Sequence, residues 1–152
     1  MAEFVYNEVQ SIPLNQPALL QDSIPCNKRY VLHEDGSGII ILRGIVNNPC
    51  ARFARYKITA NGNIAIPEGG TPGPIAVALT MNGEIKPATR AIVTPAAVNE
   101  YFNFTCTSIF TIPAGCCFQV SLRNVDPDND PTTTPAPVIN IQNLNVDVTR
   151  VA

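Results

Sequence analysis

The fold is decided by the segment Ile75-Ala76-Val77-Ala78-Leu79-Thr80-Met81-Asn82-Gly83, in which large apolar residues alternate with small ones. A period of two is typical of a β-strand, whose successive side chains point to opposite faces of the sheet. The closing pair, Asn82-Gly83, favours a type I′ hairpin turn, since both central residues of that turn need a positive φ. The segment therefore predicts a buried strand that ends in a hairpin.

The same alternation recurs along the chain, with turn residues between the runs. Residues 54–60 alternate apolar and polar side chains, and the following Asn61-Gly62 predicts another hairpin with its partner strand over residues 63–66. Pro113-Ala114-Gly115 predicts a turn between two later strands. Further strands are expected over residues 38–46, 90–94, 100–107, 110–112, 117–123 and 144–150. So many short strands with regular turns predict an all-β jelly-roll sandwich.

Composition favours one domain that associates with copies of itself. The 152 residues suffice for a single domain with its own hydrophobic core. Only 14% of them are charged while 45% are hydrophobic, so we expect neighbouring subunits to cover much uncharged surface. The net charge is -2, and lysines and arginines do not cluster in the sequence, so we expect no basic surface that would bind a phosphate backbone. The expected partner is therefore the chain itself, and nucleic-acid binding is not expected.

Residues 1–25 differ from the rest and are expected to form an extended N-terminal arm, with the jelly-roll domain over residues 26–152. The segment begins with strand-like alternation and continues as an extended stretch that prolines interrupt. In the polyproline form about 12 residues reach on the order of 37 Å, enough to bridge to an adjacent subunit. The alternative is that residues 4–10 form the first strand of the chain's own domain, followed by a surface loop. The residues expected to contact another subunit are Phe4, Tyr6, Ile12, Leu14, Leu19 and Leu20.

The sequence shows neither a secretory signal nor a membrane span. Its first eight residues lack the basic and apolar regions of such a signal, and no run approaches about 18 apolar residues. We expect no membrane insertion and no export by the general secretory route. Assembly on a spore inside the mother cell, or release of a virion by lysis, would each place such a chain outside the cell.

The cysteines suit covalent cross-links between subunits. An odd number of thiols leaves one unpaired within a fully oxidised chain, and that thiol can bond another copy. Without a C-x-x-C pair, and with His33 as the one histidine, a zinc site is not expected. The alternative is that the thiols are reduced and buried as small apolar side chains. The five cysteines are Cys26, Cys50, Cys106, Cys116 and Cys117.

The sequence points to no catalytic or cofactor site. A catalytic triad would need His33, which stands among the turn-forming residues 34–36 and is expected to be an exposed turn residue. A pair of carboxylates for glycoside hydrolysis is not expected either, because most acidic residues fall in turns and not at the ends of core strands. We therefore expect no enzymatic activity.

A weak calcium pattern lies in the proline- and threonine-rich segment over residues 126–137. Asp126, Asp128 and Asp130 alternate there, a spacing that lets several oxygens converge on one ion. Pro131 and Pro137 stand where a helix-loop-helix calcium loop requires glycine and glutamate. A solvated, exposed acidic loop is the expectation, and bound calcium is the alternative.

Four segments carry a resemblance to a known family: residues 75–83, 110–115, 118–124 and 144–150. They contribute an alanine-leucine-asparagine-glycine strand, an isoleucine-proline-glycine turn and a closing strand that ends in arginine. Through them, residues 38–152 resemble the bacterial tumour-necrosis-factor-like jelly rolls at the C-terminus of the collagen-like glycoprotein of the spore exosporium. The resemblance implies a ten-stranded jelly roll that packs as a tight homotrimer with receptor, adhesive or structural duties. The chain departs from that family because it lacks a Gly-X-Y collagen stalk.

The leading hypothesis for function is a structural subunit of a self-assembling extracellular fibre or surface layer, of the endospore appendage or exosporium type. Stacked trimers would be joined by the N-terminal arm, with an anchoring or tip protein as a further partner. A bacteriophage virion protein, either a capsid decoration trimer or a fibre, is the alternative. A binding module that recognises a sugar or protein through its loops is a third hypothesis.

Overall fold

The computed structural model describes residues 1–24, 29–44, 50–128 and 138–151. Within these ranges the chain forms twelve β-strands and one short 3-10 helix, Pro87–Thr89. The strands are β1 (Ala2–Tyr6), β2 (Gln10–Ile12), β3 (Gln21–Ile24), β4 (Val31–His33), β5 (Ile40–Arg43), β6 (Phe53–Ala65), β7 (Ile75–Met81), β8 (Glu84–Ile85), β9 (Ala91–Val93), β10 (Phe102–Pro113), β11 (Cys117–Val125) and β12 (Ile139–Arg150).

The strands form two antiparallel sheets that enclose a shared core. In the first sheet the order is β10-β6-β12-β1-β3, and β2 also pairs with β12. In the second sheet the order is β4-β5-β11-β7-β8, and β9 also pairs with β7. Because β10 and β11 belong to different sheets, the turn between them carries the chain from one sheet to the other. The all-β jelly-roll sandwich predicted from the sequence is confirmed.

The main apolar core fills the space between the sheets. Alternate residues of the long strands point into it, and Tyr56 and Phe110 are among its largest fully buried side chains. The Tyr56 hydroxyl donates a hydrogen bond of 2.6 Å to the Arg43 carbonyl, which satisfies the polar end of this side chain. Burial raises the pKa of Tyr56, although the nearby Arg150 guanidinium lowers that pKa in part.

One of the two predicted Asn-Gly hairpins is present. Asn82 and Gly83 have φ values of 51° and 86° and form the turn between β7 and β8, as predicted. The Asn61-Gly62 prediction is wrong, because β6 continues through both residues. Gly62 faces Phe104 on β10, and a Cβ atom at this glycine would lie 3.2 Å from the Phe104 ring. The glycine therefore makes room for an aromatic ring and does not turn the chain.

Two long strands extend beyond their predicted ends. β10 runs unbroken where the sequence predicts two strands, over residues 100–107 and 110–112. β12 begins at Ile139, well before its predicted start at Leu144. Both strands pair with β6 along most of its length, and this long partner supplies backbone hydrogen bonds even where side-chain alternation is weak. The predicted strand over residues 38–46 is shorter, and its last two residues lie outside the described residues.

The first 24 residues belong to the domain, which corrects the expectation of a separate arm over residues 1–25. β1 lies inside the first sheet between β12 and β3, and β2 pairs farther along β12. The strand forms there because its alternating residues offer one apolar face to the core and unpaired backbone groups to β12. The alternative given by the sequence, a first strand over residues 4–10 followed by a surface loop, agrees only in part, because β1 ends at Tyr6 and two further strands, β2 and β3, follow it. Pro25 lies outside the described residues.

Candidate assembly surfaces

The residues predicted to contact another subunit divide between the core and the surface. Three are fully buried in the chain's own core: Phe4, Ile12 and Leu20. Two are half-buried: Tyr6 and Leu14. Leu19 is 45% exposed and is the one of the six that another subunit could reach most easily. Contact between subunits through these residues stays a prediction.

A buried histidine fastens the N-terminal strands to the rest of the domain. The His33 side chain is 0% exposed, and its ring lies against Phe4 with 4.5 Å between the ring centroids. Its Nδ1 lies 2.6 Å from Oδ1 of Asp22 on β3, and its Nε2 donates a hydrogen bond of 2.8 Å to the Ser37 carbonyl. The expectation that His33 is an exposed turn residue is therefore wrong. Both ring nitrogens have structural partners, and the imidazole joins β1, β3 and the β4–β5 turn.

The first sheet has one face that points away from the core, named here the open face, and most of its side chains are uncharged. Threonines lie side by side on neighbouring strands, as where the Oγ1 atoms of Thr59 and Thr107 are 3.0 Å apart. Phe53 and Ile109 add apolar surface and are 39% and 51% exposed. The residues of the open face are Phe53, Arg55, Lys57, Thr59 and Asn61 on β6, Thr105, Thr107, Ile109 and Thr111 on β10, Asn145, Asp147 and Thr149 on β12, and Glu3 and Val5 on β1.

Two acidic side chains stand opposite each other on the open face. Glu3 of β1 is paired with Asp147 of β12, and like charges in facing positions destabilise a sheet. Partial burial, and then the charge of Glu3, raise the pKa of Asp147. Glu3 also accepts hydrogen bonds of 2.7 Å from Asn145 Nδ2 and 3.2 Å from Ser23 Oγ. A cation brought to this place from outside the chain would relieve the repulsion.

The described cysteines fall into two groups. Cys50, Cys116 and Cys117 are exposed, and the last two follow the β10–β11 turn. Cys106 is 1% exposed, and burial raises the pKa of its thiol to about 12, which keeps it protonated and unreactive at neutral pH. No disulfide joins two of the cysteines that the structure describes, and Cys26 lies outside them. Cross-links between subunits stay a prediction.

The predicted acidic loop is described only at its start. Asp126 Oδ1 accepts a hydrogen bond of 2.9 Å from the backbone N–H of Asp128, the pattern of an Asx turn. Asp130 lies outside the described residues. Within the described ranges, no three or more His, Cys, Asp or Glu side chains group in a way that could hold a metal ion. Over the same ranges, the structure contains no helix with the length and apolar character needed to cross a membrane.

Several solved structures are similar to this chain, at low sequence identity. The globular domain of a zebrafish complement 1qA protein is 11% identical, with a TM-score of 0.49 over 95% of this chain and 92% of that chain. The C-terminal domain of EclA, a sugar-binding protein, is 15% identical, with a TM-score of 0.35 over 83% of this chain and 89% of that chain. The CBM22-1 xylan-binding domain of Paenibacillus barcinonensis Xyn10C is 9% identical, with a TM-score of 0.35 over 99% of this chain and 87% of that chain.

No protein-family model and no curated protein matches the sequence. The similarities to solved structures are too remote to bear on function, so the jelly-roll assignment rests on the strands and sheets described above. The relationship to the exosporium glycoprotein suggested by the sequence gains no support from these matches.

Proposed function

We propose that this chain is a non-enzymatic structural subunit that assembles as a homotrimer and builds an extracellular fibre or surface layer. The open face is the observation that carries the proposal. Phe53 and Ile109 are exposed there among threonines and asparagines, and a broad sheet face of this composition gains stability when another subunit covers it. At about 4.8 Å between strands and 3.3 Å per residue, the full lengths of β1, β6, β10 and β12, whose outward side includes the open face, cover roughly 700 Å². That area is close to the ~800 Å² that each partner contributes to a standard protein interface.

The test is a pair of matched substitutions. Ile109→Arg places a charge on the open face, whereas Ile92→Arg places one on β9 of the second sheet, and the two isoleucines are 51% and 52% exposed. Sedimentation equilibrium at micromolar concentration should give trimers or stacks of trimers for the wild type and for Ile92→Arg, and monomers for Ile109→Arg. A monomeric wild type would contradict the proposal. If Ile109→Arg still forms trimers, the open face is not the contact that joins the subunits.

The setting that we propose is the spore surface, with a bacteriophage virion as the alternative. Exposed thiols at Cys116 and Cys117 support a resistant appendage, since disulfides between subunits would harden it. Negative-stain microscopy of recombinant protein separates the two settings: filaments or layers favour the appendage, whereas trimers that bind empty capsids favour the virion. Non-reducing gels of the assembled material should show ladders that reductant collapses. A monomer band that reductant leaves unchanged would count against covalent hardening.

A further inference from the structure

Arginines gather at one end of the sandwich, named here the basic end. This end holds the β10–β11 turn, and the register places the start of β6, the end of β12 and the end of β5 beside it. Tyr30 lies there too, because its carbonyl accepts a hydrogen bond of 2.9 Å from the backbone N–H at the end of β5. Two arginines stack on the Tyr30 ring, at 4.4 and 5.5 Å from its centroid. The arginines of the basic end are Arg29, Arg43, Arg52, Arg55 and Arg150.

The opposite end of the sandwich carries acidic residues and is named here the acidic end. There β6 ends, β10 begins and β11 ends, and the pairing of Phe102 with Ile64 places the first two at one level. Arg123 is the basic side chain of β11 on that side, and its guanidinium donates hydrogen bonds to Ser121 Oγ and the Asn15 carbonyl, at 3.0 and 3.3 Å. The acidic residues of this end are Glu68, Glu100, Asp126 and Asp128.

The two ends are too far apart to neutralise each other within one chain. β6 spans the sandwich in 13 residues, which at about 3.3 Å per residue is on the order of 40 Å. The Debye length at physiological ionic strength is only about 8 Å. The opposite charges of the two ends therefore do not compensate each other within one chain. A second copy, shifted along the strands, brings the basic end of one chain against the acidic end of the next.

We infer that copies of this chain stack end to end, with the basic end of one subunit docked on the acidic end of the next. The inference rests on the proposed function and names the surfaces through which a fibre would grow. The contact is heterologous, because two different surfaces meet, and a heterologous contact that does not close into a ring repeats indefinitely. Contacts between like ends bring like charges together, so the charges also fix one polarity along the fibre.

Charge holds this contact without a disulfide between the cysteines that the structure describes. Cys116 and Cys117 lie at the basic end, whereas none of the cysteines that the structure describes lies at the acidic end. A disulfide between these described cysteines therefore cannot bridge the two ends of stacked copies. Stacks should lose subunits as the salt concentration rises, since at about 1 M salt the Debye length falls to about 3 Å.

Two double variants with complementary charges test the inference. Arg29→Glu with Arg52→Glu lowers the formal charge of the five arginine positions from +5 to +1, and Glu68→Lys with Asp128→Lys raises that of the four acidic positions from -4 to 0, so each variant loses most or all of the charge of one end. All four residues are exposed and lie outside the open face, so the trimer contact is left intact. Each variant alone should sediment as an isolated trimer, and an equimolar mixture of the two should form pairs of trimers, joined through the intact acidic end of one variant and the intact basic end of the other, but not the large species of the wild type. Circular dichroism melts of each variant establish that it is folded.

Glu84→Lys is the matched control for Glu68→Lys. Glu84 follows the β7–β8 turn, which hydrogen-bonds to Gln119 near the basic end, so this change makes the basic end more basic. Both substitutions alter the net charge equally, yet only Glu68→Lys should weaken stacking. A monomeric wild type would overturn the proposed function itself. Two outcomes would overturn the stacking inference alone: trimers that do not assemble further, and trimers whose further assembly does not change with salt or with these substitutions.

Discussion

Phe4→Ala tests whether the N-terminal strand belongs to the chain's own core. Phe4 is 0% exposed, and its ring lies against His33 with 4.5 Å between the centroids. Removal of a buried phenylalanine ring lowers the free energy of unfolding by about 3–5 kcal/mol, through the lost transfer of the ring and the cavity that remains. The whole stability of a domain is on the order of 5–15 kcal/mol. For a chain of this size the Tm should fall by roughly 6–20 °C.

Urea unfolding followed by circular dichroism measures this loss, at fixed protein concentration because association adds to the apparent stability. Val5→Ala is the matched control, since Val5 is the next residue of β1 but is half-buried on the open face. Its loss should be about 1 kcal/mol or less. If Phe4→Ala costs no more than Val5→Ala, the reasoning is refuted. Unchanged unfolding together with lost assembly would refute it too, since Phe4 would then act between subunits.

Four further outcomes are expected. Deletion of residues 2–23 should give an unfolded or aggregated product, because β1 and β2 pair with β12; soluble, folded trimers would contradict this. Asp147→Asn should raise the Tm at neutral pH, since a raised carboxyl pKa means that ionisation destabilises the folded state. The wild type should gain stability as the pH falls through that raised pKa, and the variant should gain less. Tyr56→Phe should cost about 1 kcal/mol at neutral pH through its lost hydrogen bond. The raised pKa of Tyr56 gives the wild type stability that is present below its ordinary pKa of about 10 and lost at higher pH, so the variant should show a smaller alkaline loss. A thiol reagent should label Cys116 in the native protein and Cys106 only after unfolding, and equal rates by peptide mass spectrometry would contradict the burial of Cys106.

Local pattern predicted the strands well where the turn chemistry agreed with the packing. At Asn82-Gly83 both residues adopt positive φ, so the dipeptide preference and the fold point to the same turn. At Asn61-Gly62 the same dipeptide lies inside β6, because the ring of Phe104 needs the space that a glycine leaves. That ring lies more than forty positions after the glycine in the sequence, so a local pattern cannot predict the contact. Tertiary packing thus overrode a strong turn signal.

The assembly surfaces were only partly predictable for a related reason. Apolar residues such as Ile12 and Leu20 need a surface to cover them, and the sequence cannot tell whether that surface is their own domain or a neighbour. The alternation of apolar and polar residues along β6 did predict which side chains point outward, among them its threonine and its exposed charged residues. The bridge from His33 to Asp22 had no such signal, because the two residues lie on strands of different sheets, which meet here through backbone hydrogen bonds between Leu20 and the β4–β5 turn. The basic end and the acidic end likewise can be recognised only once the strand directions are known.

A fibre of trimers needs two unlike contacts on the same chain. A contact around a three-fold axis is complete after three copies, whereas growth requires a contact that repeats without closing. The open face, which is mostly uncharged and partly apolar, suits the first kind, and the charged ends suit the second, which salt can reverse. Rotation about one axis keeps equivalent atoms at the same height along it. With strands inclined along that axis, the three basic ends therefore lie at one level and the three acidic ends at another, so the ring inherits the polarity of its subunit. Stacking of rings then multiplies each end contact by three, and an attraction that is weak for one chain becomes sufficient for an assembly.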